Sequence, residues 1–152
     1  MAPISAPFPS LRWFEELVRR ATADTAAIER LGISEFRLGV EVVLPDGTRP
    51  LFGLVLDGYD IDAVGPLDEA SFGADVVLSG PLEAWVDMVE WIEANGPADS
   101  AHSLNGLSLA GIPFEARSSD PMASDKFYRY MGTLQEVFDA AASAAPVPAG
   151  RA

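Results

Sequence analysis

The stretch GADVVLSGPLEAWVDMVEWI, residues 73–92, decides how this chain folds. Its first half, around Val76, Val77 and Leu78, is a short apolar run of the kind a buried strand shows. Ser79-Gly80-Pro81 stops the run. Pro81 suits the first turn of a helix, where a missing N–H costs nothing. On a helix, Leu82, Trp85, Val86, Val89 and Ile92 share one face. Glu83, Asp87, Glu90 and Glu93 take the remainder, with Met88 and Trp91 on the flanks. A strand therefore runs straight into an amphipathic helix, which ends near Asn95-Gly96, before Pro97.

Upstream the period is two. In ISEFRLGVEVVL (33–44), Phe36, Leu38, Val40, Val42 and Leu44 point one way, and Glu35, Arg37 and Glu41 the other, toward solvent. Pro45-Asp46-Gly47 is a turn signal, and RPLFGLVLDG (49–58), carrying Phe52, follows as the second arm of an antiparallel hairpin. YDIDAVG (59–65) is a third, shorter strand candidate. Further back, Phe14, Leu17, Val18, Ala21, Thr25 and Ile28 recur at helical spacing after a capping Ser10, with Gly32 as a stop.

Downstream, LSLAGIPFEAR (107–117) reads as two short strands or one bent strand, and residues 97–104 as a loop or helical turn. Asp120-Pro121 opens a last helix by capping, with Ser124 as the alternative start. Its apolar face is Phe127, Tyr130, Met131, Leu134, Phe138 and Ala141. This order predicts an α+β domain: an antiparallel sheet of about five strands with helices packed on one face. Residues 1–9, with three prolines, are expected to form a flexible arm; residues 10–143 one domain; and the Ala/Pro/Gly-rich residues 144–152 a disordered tail.

Ten basic residues face 23 acidic ones in the 152-residue chain, for a formal net charge of −13. Such a surface repels phosphate backbones and anionic headgroups, which argues against nucleic acid as a partner and against a polybasic membrane anchor. With no cysteine, thiol catalysis and cysteine-ligated metal are excluded. No apolar run is long enough for a spanning helix, and MAPISAPFPS lacks the pattern of a signal peptide, so a cytoplasmic protein without stable membrane insertion is expected.

Reactive constellations are sparse. The single histidine, His102, lies in a polar, turn-rich segment and reads as a surface residue. Asp57, Asp60, Asp62, Asp68 and Glu69 supply hard oxygen ligands, but their spacing matches no calcium loop, so they read as a solvated acidic edge. No metal and no cofactor is expected. A pocket enzyme of isomerase or cyclase type would need one buried carboxylate, for which Asp60, Asp62 and Asp75 are the first candidates.

The hairpin FRLGVEVVLPDGTRPLFGLVLDGYDIDAV, the segment ADVVLSGPLEAWVDMV and the later LSLAGIPFEA together resemble the sterol carrier protein 2 (SCP2) family, with the matching pieces spread from Leu11 to Ala141. The segment 90–109 departs from the family pattern, and the last helix is long and aromatic. The resemblance implies a non-enzymatic binder of a lipid, sterol or fatty acyl chain, held between sheet and helices. The candidate lining is Phe36, Leu38 and Phe52 on the sheet, Trp85, Met88, Val89 and Ile92 on the central helix, and Phe127, Tyr130, Met131, Leu134 and Phe138 on the last. Methionine's flexible, polarisable side chain suits ligands of variable shape. Plain core packing uses the same residue types, and the last helix would serve equally as a homodimer or accessory-subunit contact, so these readings stand side by side.

Overall fold

The computed structural model describes residues 3–23, 29, 34–108, 113–118 and 120–142. Ser10 opens the first helix, its Oγ accepting from the Trp13 N–H at 3.2 Å. Helix α1 (Leu11–Ala23) buries Trp13, Phe14, Leu17, Val18 and Ala21. Thr25, Ile28 and Gly32 of the expected continuation lie outside the described residues. The segment before α1, expected as a loose arm, contributes to the core: Ile4 is buried, and the Phe8 ring packs edge-on against Trp13 at 4.7 Å.

Strands β1 (Ser34–Val43), β2 (Leu51–Gly58) and β3 (Asp60–Val64) form a meander. Phe36, Leu38 and Val40 stand opposite Leu56, Leu54 and Phe52, and Leu56 and Leu54 stand opposite Ile61 and Ala63 on the far side. The first turn is closed by Leu44 N–H to Thr48 O at 2.8 Å. Its Gly47 takes φ 90°, which a side chain would resist.

From β3 the chain crosses back over the sheet through a one-turn helix, α2 (Glu69–Phe72), to β4 (Val76–Pro81). The strand order is β3-β2-β1-β4-β5, with the short β5 (Glu115–Arg117) antiparallel to β4. The expected sheet of about five strands is present, but it is mixed, because β4 runs parallel to β1. Topology is the reason. Two reversals leave β3 pointing as β1 does, and residues 65–75 return the chain to the end where β1 starts. There Asp75 N–H bonds Arg37 O at 2.8 Å, so β4 sets off in the direction of β1, as crossovers do.

Pro81 is the last residue of β4 and the cap of helix α3 (Leu82–Asn95), one position earlier than a first-turn proline. A 3-10 turn (Ser100–His102) and helix α4 (Leu104–Ser108) follow. The strand expected to start at Leu107 is thus helical there. Ser103 opens that helix by accepting from Gly106 N–H at 2.9 Å, and the strand shrinks to β5. The last helix is two helices, α5 (Pro121–Arg129), capped by Asp120, and α6 (Met131–Asp139). They part at Tyr130, whose φ −99° and ψ 12° leave the helical region.

Helices α1, α3, α5 and α6 cover one face of the sheet, and their apolar stripes join those of the strands in one core. The opposite face is partly covered by the crossover. Gly39 and Gly53 face each other across β1 and β2. A Cβ on Gly53 would lie 2.5 Å from the Phe72 ring, so the missing side chain is what lets Phe72 seat on the sheet.

Candidate functional site

The layer between sheet and helices is built from period-two strands and 3.6-period helices that turn their apolar sides to each other. From the sheet come Phe36, Leu38 and Phe52, all buried, and from α3 come Trp85, Met88, Val89 and Ile92, also buried. Phe127 of α5 and Leu134 and Phe138 of α6 are buried as well. Tyr130 and Met131, at the break between α5 and α6, are half-buried and pack on the same cluster. Every residue of the expected lining therefore belongs to the one apolar core, with Phe52 lying against α1, its ring 5.0 Å from that of Phe14.

Rings dominate the contacts. Trp85 stacks on Phe138 at 5.9 Å and on Phe114 at 4.2 Å. Phe36 meets Phe127 at 6.4 Å and the edge of Tyr130 at 6.2 Å. The Trp85 indole N–H donates to Glu41 O at 3.2 Å, which satisfies the ring's polar edge inside the core. Tyr130 and Met131 are the two members of the expected lining that solvent partly reaches. Phe114 was missed in the sequence. Its one trace there is Gly80, where a Cβ would stand 2.3 Å from the Phe114 ring.

Glu41 was expected to face solvent, yet it is only 7% exposed. Its carboxylate accepts from both Arg117 Nη atoms at 3.1 Å and from Ser79 Oγ at 2.7 Å. Arg117 reaches on to Glu69 of α2 at 2.7 Å. One residue thus fixes β1 to β4, β5 and the crossover, while its carbonyl orients Trp85 on the other side. Burial pushes the Glu41 carboxyl up, but the bonds from Arg117 and Ser79 outweigh it and hold the carboxyl below its ordinary value.

The carboxylates named for an isomerase stand outside the layer. Asp60 and Asp62 are exposed on the edge strand. Asp75 Oδ2 accepts from the Arg37 N–H at 2.7 Å, with Lys126 Nζ 3.9 Å from its other oxygen. His102 Nδ1 lies 2.7 Å from Asp99 Oδ1 and its ring stacks on Trp91 at 4.6 Å, so it closes a local turn. Among the described residues, no group of three or more acidic or histidine side chains is placed to hold a metal ion. No helix among them is long and apolar enough to cross a membrane.

Solved structures share this fold. A crystal structure of sterol carrier protein 2 superposes with a TM-score of 0.63 at 18% identity, over 91% of this chain and 100% of its own. A conserved hypothetical protein of Thermus thermophilus, described as possibly a sterol carrier protein, superposes with a TM-score of 0.58 at 18% identity, over 95% of this chain and 97% of its own. No protein-family model and no curated protein matches the chain. The likeness establishes the fold, a five-stranded mixed sheet with helices on one face, which is the SCP2-like architecture.

Proposed function

We propose that the chain binds and carries a hydrophobic small molecule, a lipid, sterol or fatty acyl chain, without chemical change, in the layer between the sheet and helices α3, α5 and α6. The supporting observation is the composition of that layer. Trp85, Met88, Phe127 and Phe138 meet there, and the described carboxylates named for catalysis lie outside it. A long acyl chain gains about 0.8 kcal/mol for each methylene it buries, so such a ligand needs few polar contacts. The access route in this reading is the α5–α6 break, where Tyr130 and Met131 are half-buried. The half-buried Tyr130 and Met131 move aside there, and the ligand takes over contacts that the aromatic side chains make with one another. Native mass spectrometry of freshly purified protein tests this. Carriage predicts an extractable lipid, or uptake of added oleate at one per chain; protein that stays ligand-free with excess oleate and cholesterol contradicts it.

A further inference from the structure

The outer sheet face carries a hollow of roughly 500 Å³, distinct from the apolar layer. Its floor is a row across three strands: Arg37 of β1 stands opposite Val55 of β2, and Val55 opposite Asp62 of β3. Phe72, Leu67 and Val64 supply apolar walls. The row places a cation at one side and an anion about 10 Å away, two strand spacings, with apolar surface between.

The Arg37 guanidinium is held in place. Its Nη1 donates to Phe72 O at 3.1 Å, and its carbon lies 5.5 Å over the Phe72 ring. The chain has 23 acidic residues. Among the described residues no carboxylate lies within ion-pair distance of Arg37, nor of Arg12 or Arg129, whereas Arg49 and Lys126 each have one and Arg117 has two. Arg37 is itself one of the residues that line the hollow.

We infer that this hollow is a second binding site, for small monocarboxylates with an apolar body. The carboxylate takes the free guanidinium N–H groups, a charge-assisted contact suited to its two oxygens. The body lies over Val55, between Phe72 and Val64. Asp62 at the far side repels a second negative charge, and the net charge of −13 adds to that repulsion, so dicarboxylates and phosphate dianions are rejected. The volume falls within the range of small-molecule pockets.

Amide NMR of the full chain titrated with phenylacetate and, separately, with glutarate tests the assignment. Phenylacetate shifts the Val55, Val64 and Phe72 amides saturably, leaves the Trp85 indole N–H unmoved, and binds more tightly than glutarate. Arg37→Gln keeps the backbone N–H that Asp75 accepts and weakens phenylacetate by about tenfold or more. Asp62→Asn, at an exposed position, narrows the preference over glutarate. Absence of a saturable shift in the wild type overturns the proposal. So does a folded Arg37→Gln protein that binds phenylacetate unchanged. Should Arg37→Gln fail to fold, Asp62→Asn decides, and an unaltered preference over glutarate overturns it.

Discussion

Glu41 shows how one residue can serve both faces of a sheet, through its side chain on one and its main-chain carbonyl on the other. Its carboxylate is bound by Arg117 and Ser79, and its carbonyl accepts from Trp85. Because the folded carboxyl sits below its ordinary value, its contribution to stability is complete above the unfolded value, near 4.3. That contribution is lost as pH falls through the lower folded value. Glu41→Gln should therefore cost about 2 kcal/mol at pH 7 in urea unfolding, less than a fully buried pair because Arg117 is partly exposed. The variant should also lose less stability than wild type between pH 5 and pH 3; parallel acid profiles for the two proteins would contradict this. For Trp85, removal of the indole donor by Trp85→Phe should cost about 1 kcal/mol, while Trp85→Ala should cost about 3–5 kcal/mol through the cavity it leaves. Equal losses in urea would show that ring packing is not what Trp85 supplies.

Elements were legible in proportion to how much local pattern fixes them. The alternation from Phe36 to Val42 was read correctly because burial on one face leaves a period in the residues themselves. The stripe of α3, by contrast, is turned from the expected one: Met88, expected on the flank, is fully buried, and Leu82 and Val86 are half-buried. The parallel pairing of β1 with β4 has no such trace, because it follows from where the crossover lands. The break at Tyr130 was hidden because the apolar stripe continues through it. Glu41 looked solvent-facing because its partner Arg117 is remote in sequence, and the aromatic Phe114 and Phe72 escaped notice although Gly80 and Gly53 mark where they approach. The candidate lining was legible as a set of residues, but whether it fills or encloses space depends on side-chain volume, which periodicity does not report. Gly53 gives a test at this scale. Gly53→Ala should destabilise by about 1–3 kcal/mol by forcing the Phe72 ring off the sheet. In a Phe72→Ala background the cost should largely vanish, as a double-mutant cycle would reveal.

At the scale of the whole molecule, the −13 charge and the apolar layer act on different ranges. Charge repulsion from anionic groups works over about 8–10 Å at physiological salt, whereas the layer acts only on contact. The account accordingly predicts weak salt dependence for a neutral apolar ligand, with affinities at 50 mM and 500 mM salt within about twofold of each other; a steep fall with salt would place the ligand on charged groups instead. Its central claim is that the ligand enters between the sheet and the helices. The most direct measurement is the NMR signal of the Trp85 indole N–H, assigned by its loss in Trp85→Phe, during titration with oleate. Binding in the layer must disturb the stacking on Phe114 and Phe138 and the bond to Glu41, so this signal should shift and saturate at one ligand per chain. An indole signal that stays in place while oleate binds would contradict the account.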